Sequence, residues 1–411
     1  MPEHDLIIIG GGSAGMAAAR GAYLNGIRDI LIVEREKEYG GILQQCIHNG
    51  FGLHTFHEEL SGPAYAEKYF EYLKDCEGIR FAYESSVIDI KDKVVTVLSP
   101  QGETQYQAKA IVLAAGCRER PAGAIGLKGD RCEGIYTAGT AQKYLNKAGY
   151  LVGKRVFILG SGDIGLIMAR RMTLEGAKVI GVAELQPYSN GLARNIKQCL
   201  EDFDIPLYLS HTVEAVKGSS RIEKIVLVEV DERLQKIPGS EQEIACDCLL
   251  LSVGLIPDNT LLEQCGIRID PHTKGAYVDD SYMTSLEGIF ACGNALHVHD
   301  LVDYVSMEGE RCGKASADYI LKKKEDTPLH QSVPQEGIGY VVPQSFHKDR
   351  DQEFMFRVRK VYKDSYIHVY GNGFDKKIRK TGIVPSEMQK VSLKKEELTD
   401  LEGDLFWEVI G

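Results

Sequence analysis

The sequence predicts an α/β fold with two Rossmann-like units, one inserted in the other, followed by a small β-rich C-terminal module. Three observations carry this expectation. A strand–turn–helix–strand pattern fills the first 35 residues, the same pattern returns at residues 156–184, and from about residue 331 the texture shifts to alternating strands. With 411 residues there is room for two or three domains. A content of 44% hydrophobic and 26% charged residues is that of a water-soluble globular chain.

The elements follow in order. Residues 5–9 read as a short buried strand, residues 13–25 as an Ala-rich helix, and residues 30–33 as a second strand ending at Glu34. In the second copy, residues 156–159 form the strand, a helix runs to Glu175, and residues 179–182 lead to Glu184. Gly10, Gly12 and Gly15 are matched by Gly160, Gly162 and Gly165. Eleven residues after the third glycine stand Gly26 and Gly176, and nineteen after it stand Glu34 and Glu184. One such motif is weak; two in register mark a repeated supersecondary unit. Later come apolar strands at residues 110–116, 248–254 and 288–293, then a helix at 306–321. Residues 354–361 and 366–370 alternate like strands, and Asn372-Gly373 offers turn chemistry.

The glycine spacing has a chemical purpose. The first glycine permits the tight turn, the second lets backbone N–H groups approach a pyrophosphate, and the third lets helix and strand pack closely. Phosphates then sit at the positive end of the helix. Glu34 ends the second strand, where a carboxylate accepts hydrogen bonds from ribose hydroxyls. Both units therefore read as dinucleotide-binding domains.

Other classes are disfavoured. A formal charge of −11 argues against nucleic acid as a partner. The Lys-rich stretches at residues 322–324 and 394–395 are flanked by acids and read as solvated faces. The apolar start runs into a Gly-rich turn without a basic n-region, so no secretory signal is expected. Charges or glycines interrupt every apolar run, so no membrane insertion is expected either. Ten cysteines without framework spacing suit a reducing, cytoplasmic setting.

Over about residues 1–325 these motifs resemble the FAD-dependent pyridine-nucleotide oxidoreductases related to the disulfide reductases. The resemblance implies that the N-terminal unit (residues 1–117 and 259–330) binds FAD and that the inserted unit (118–258) binds NAD, with residues 331–411 as the C-terminal module. It assigns to FAD Gly10, Gly12, Ser13, Ala14, Gly15, Glu34, Arg35, Gly41, Ile42, Gln45, Val87, Ala115, Gly116, Gly293, Asn294 and Val302. It assigns to NAD Gly160, Gly162, Asp163, Ile164, Gly165, Glu184 and Gly254. Asn294 stands where the family has an acid on the flavin's ribityl-phosphate region, and an amide still donates and accepts there. Within the superfamily, residues 41–50, 115–121 and 297–310 are similar to FAD/NAD subunits found with bacterial glycerol-3-phosphate dehydrogenases. These are akin to the α subunits of amine, opine and cyanide-forming dehydrogenases. A partner dehydrogenase or electron-transfer subunit is thereby implied.

The disulfide reductases carry two cysteines four residues apart after the Gly-Gly. Here Leu43 occupies the first position and Cys46 stands alone, so a flavin–disulfide relay is not expected. Cys46 and His48 remain the catalytic candidates beside the flavin, against the plainer reading of Cys46 as a small buried apolar residue. Cys246 and Cys248 alternate along a strand and face opposite sides. His297, His299, Asp300 and Asp303 have a metal-like composition but read as polar residues lining the flavin's open face, with no metal. Glu184 would bind 2′- and 3′-hydroxyls and repel a 2′-phosphate, favouring NAD(H), although the acid position counted from Val179 also falls on Ala183. The expected activity is hydride transfer between NAD(H) and FAD with electrons exchanged with a partner, in glycerol 3-phosphate oxidation. Two rivals stand beside it: a nucleotide-holding relay or scaffold subunit, since some relatives hold an adenine nucleotide statically, and a stand-alone NADH oxidase using Cys46.

Overall fold

The computed structural model describes residues 1–322 and 327–411; Lys323 and Lys324, part of the basic stretch read as a solvated face, lie outside the described residues. The chain divides into two compact units. One comprises residues 1–44, 49–117 and 257–411, and the other residues 45–48 and 118–256.

In the first unit, Glu3–Ile9 lies at the centre of a seven-stranded sheet, paired in parallel with Ile30–Val33 on one side and Gly102–Leu113 on the other. Ile289–Ala291 joins the far side of Gly102–Leu113, also in parallel. From Leu6 to Ile9 the central strand is apolar and buried on both faces, as expected when helices cover both sides of a parallel sheet. The helix Ser13–Leu24 covers one face and packs lengthwise on Val302–Ile320. That crossing is close because small residues meet on it. A Cβ added to Gly309 would come within 2.4 Å of the Ala14 carbonyl oxygen, and one on Gly313 within 2.0 Å of that of Ala18. The long helix begins at Val302, four residues before the start that periodicity suggested, because Val302 to Val305 carry no apolar stripe strong enough to announce it.

The second unit repeats the plan on a five-stranded parallel sheet, ordered Ile135–Thr137, Cys248–Leu251, Arg155–Leu159, Lys178–Glu184, Leu207–Leu209. Its helix Asp163–Leu174 follows the Gly-rich turn. A four-stranded sheet, including the antiparallel pair His211–Gly218 and Ile222–Glu229, sits beside it. Cys246 and Cys248 belong to different buried clusters, so the two thiols do face apart.

The C-terminal strands form a five-stranded and a three-stranded sheet around Trp407, which is fully buried with Phe346, Phe354 and Phe356. Asn372-Gly373 is the turn between Tyr362–Asn372 and Phe374–Ile383. These strands are fastened to the rest of the first unit by ion pairs: Arg357 with Asp300, Arg311 with Glu353, and His347 Nδ1 with Asp280 at 2.7 Å. No helix among the described residues is long and apolar enough to cross a membrane.

Candidate functional site: paired dinucleotide cradles

Each sheet ends in the same local geometry. Gly10 and Gly160 adopt φ of +106° and +97°, a region that only glycine enters cheaply. Each also lies against the neighbouring strand, so that a Cβ would meet the Ala114 oxygen at 2.4 Å or the Ser252 oxygen at 2.1 Å. The third glycines, Gly15 and Gly165, press on the carbonyls of Gly10 and Gly160. The second glycines differ in kind. A Cβ on Gly12 would meet nothing within 4 Å, and one on Gly162 only Ser252, no nearer than 3.4 Å. Both face open space at the start of a helix that has no side-chain cap. A turn that keeps its second glycine clear and its helix N-terminus uncapped fits a pyrophosphate. Gly116 and Gly254 close the pattern, each with positive φ and open space where a Cβ would stand.

The acids at the tips are held in matching ways. Glu34 is buried, and its oxygens accept from Gly11 N at 2.7 Å and Glu36 N at 2.8 Å. Glu184 is likewise buried and accepts from Ser161 N at 3.0 Å and Gln186 N at 2.9 Å. Gly11 and Ser161 are the same position in the two turns. Strand register gives the same answer: Ile9 pairs with Val33 and Leu159 with Ala183, so each glutamate is one residue beyond. Ala183 is fully buried inside the sheet, so Glu184 is the counterpart of Glu34. Each carboxylate retains a lone pair for a hydroxyl, on Oε1 in the case of Glu184.

The remaining candidates divide by place. Ser13 and Ala14 open the first helix, and Gly41 approaches Gly12, its added Cβ 3.3 Å from that Cα. Arg35 and Ile42 are exposed. Residues 84 and 85 run beside the Glu34 tip through backbone hydrogen bonds to Glu36 and Glu34, and Val87 follows. Ala115 is half-buried beside Gly116. Gly293 takes positive φ. Asn294 Oδ1 accepts from His299 N at 3.0 Å, and Val302 begins a helix without a side-chain cap. In the second unit, Asp163 turns its carboxylate to Leu192 N and Asn195 Nδ2 at 2.8 and 2.7 Å, and Ile164 packs into the core.

Gln45, Cys46 and His48 group with the second unit. Gln45 Nε2 donates to the Gly139 oxygen at 2.9 Å, and Cys46 Sγ lies 3.7 Å from Gln142 Oε1. Burial pushes the Cys46 thiol up to about 12, the direction opposite to that of a nucleophilic thiolate. Burial, with Arg194 adding repulsion, pushes His48 down to about 4. None of the ten cysteines is joined in a disulfide among the described residues.

The expected polar lining of residues 297–303 is corrected. His297, His299 and Asp303 are 1%, 8% and 2% exposed, so they form no open face. Nor do the four residues converge: Asp300 pairs with Arg357, and Asp303 accepts from Gly52 N and Thr55 N. The histidines instead meet Glu308, which the sequence does not announce because it lies inside the long helix. Ser161 and Ser252 were also missed. Ser161 Oγ donates to Glu184 at 2.6 Å, and Ser252 Oγ accepts from Gly165 N at 3.1 Å. The overlay of the two repeats points to Ser161, since it stands at the Gly11 position.

Known proteins share this arrangement. The chain is 27% identical over 338 residues to the thioredoxin reductase of Treponema pallidum (strain Nichols), covering 77% of this chain and 97% of that one. It is 24% identical over 314 residues to an opine oxidase subunit of Agrobacterium tumefaciens (strain Ach5), covering 71% of this chain and 61% of that protein's length. The crystal structure of the T. acidophilum thioredoxin reductase shares the fold, with a TM-score of 0.63 at 21% identity over 79% of this chain and all of that one. Residues 4–309 match the model of the pyridine nucleotide-disulphide oxidoreductases, and the chain belongs to that family of FAD-dependent, NAD(P)-linked oxidoreductases.

Proposed function

We propose that this chain transfers hydride between NAD(H), held in the inserted unit, and FAD, held in the N-terminal unit, and exchanges the electrons with a partner subunit. The duplicated cradle carries this reading: two clear glycine turns, each ending on a buried glutamate fixed by its own turn. Gly12 and the first turn of Ser13–Leu24 would hold one pyrophosphate and Glu34 its ribose, while Gly162 and Glu184 would do the same in the second unit. When bound, the flavin would supply the redox chemistry, and hydride transfer to or from it needs no protein acid or base. The protein's part is to bind, orient and exclude water. Glu184 supports NAD(H) over its 2′-phosphorylated form, because a buried carboxylate repels a phosphate.

The partner is proposed as a dehydrogenase subunit in the cytoplasm, a reading helped by the relative named as an opine oxidase subunit. Glycerol 3-phosphate as the ultimate substrate rests on sequence resemblance, that of residues 41–50, 115–121 and 297–310 and of the tail from about residue 338. The raised Cys46 thiol weighs against a thiol-based NADH oxidase. Anaerobic mixing of the isolated flavoprotein with NADH tests the proposal: bleaching of the flavin band supports it, and an unreduced flavin leaves only a nucleotide-holding scaffold.

A further inference from the structure

We propose that His297, His299 and Glu308 form a buried site for one divalent transition-metal ion of the zinc class, bound through the two imidazole Nε2 atoms and the Glu308 carboxylate. The site stands or falls independently of hydride transfer.

Geometry supports it first. His297 Nε2 lies 2.8 Å from Glu308 Oε2, and His299 Nε2 lies 3.2 Å from Oε1. All the ligand atoms fall within 4.8 Å of one another. Metal–ligand bonds of about 2.0–2.2 Å at tetrahedral or slightly smaller angles set neighbouring donors roughly 3–3.5 Å apart. The two His–Glu spacings, 2.8 and 3.2 Å, lie at or just below that range, and two histidines with one carboxylate are a donor set that zinc accepts. His297 and His299 follow the short 3-10 turn Gly293–Ala295, and their ring centroids lie 4.3 Å apart. Glu308 reaches them from the second turn of Val302–Ile320.

Charge supports it next. Glu308 is 1% exposed. A buried carboxylate is costly without a cation. Among the described residues its only ion-pair partners are the two histidines, since Arg357 is committed to Asp300 and Arg311 to Glu353. The Nδ1 atoms of both histidines are buried without a hydrogen-bond partner. The rings are thus oriented by their convergence on Glu308 and not by anchors at both ends. A metal ion at that point would be held by both Nε2 atoms and the carboxylate together, in place of the two histidine–glutamate contacts. Because every ligand is buried, the ion would enter as the chain folds and remain as a staple between the turn after Gly293, whose N–H also donates to Glu308 at 2.6 Å, and the long helix.

The test uses the full-length flavoprotein expressed in zinc-supplemented medium and dialysed exhaustively against EDTA. Elemental analysis should find about one zinc per chain in the wild type. In Glu308→Gln and His299→Gln the content should fall below roughly a tenth of that, with FAD retained. Folded wild-type protein with less than a tenth of an equivalent of zinc overturns the proposal, as does zinc that persists in both variants. Should the variants fail to fold, X-ray absorption of the wild type decides: a shell of two imidazoles and a carboxylate supports the site, and any sulfur in the shell refutes it.

Discussion

Gly12 and Glu184 act by opposite means, one by what it lacks and the other by what it holds. The space over Gly12 is clear to 4 Å, so Gly12→Val would place a side chain where a pyrophosphate must approach the first helix. That protein should fold yet be colourless after purification and after incubation with FAD, measured by flavin absorbance. Glu184 is held by Ser161 N and Gln186 N, with a lone pair on Oε1 to spare. Losing a charged hydrogen bond to ribose costs about 1.5–3 kcal/mol, so Glu184→Ala should weaken NADH roughly ten- to 150-fold in a titration. FAD content should not change. Cys46 is the opposite case: with its thiol raised to about 12, it stays protonated across the ordinary pH range. Iodoacetamide should therefore label it slowly at neutral pH, the rate climbing only as the pH nears that value. Cys46→Ser should keep its flavin, and the two-electron-reduced wild type should show no long-wavelength charge-transfer band. A band that vanishes in the mutant would make the thiol part of the electron path.

At the scale of elements, the crossing of Ser13–Leu24 with Val302–Ile320 decides whether the first cradle and the Gly293 turn stay together. Gly313 lies almost on the Ala18 carbonyl. Gly313→Leu must push the helices apart, and overpacking of this kind costs about 1–3 kcal/mol; thermal melts should show lowered stability and weaker FAD retention. This crossing was not legible in the sequence, because small residues four apart are also common on ordinary helices. The repeated Gly-x-Gly-x-x-Gly units were legible. Their spacing is dictated by local sterics, namely a turn, a phosphate approach and a helix–strand contact that all fall within one short stretch of chain. The His297–His299–Glu308 cluster was half legible: the His-x-His spacing could be read, but its carboxylate comes from a helix whose partners are set by tertiary packing. The ambiguity between Ala183 and Glu184 needed strand register, which a bulge between Val156 and Phe157 obscures in the sequence.

For the whole molecule, the two units repeat one solution to one problem, and the C-terminal sheets add a third core around Trp407. Sequence alternation announced those sheets, but not that Arg357 and Arg311 would tie them to the first unit. The central claim is that the paired cradles serve one electron path from NADH to FAD within this chain. Anaerobic stopped-flow mixing of the FAD-loaded chain with NADH and, separately, NADPH measures this directly. Rapid, saturable bleaching of the flavin by NADH, with slower and weaker reduction by NADPH, is the predicted result. A flavin that NADH leaves oxidised, or that NADPH reduces faster and at lower concentration, would contradict it.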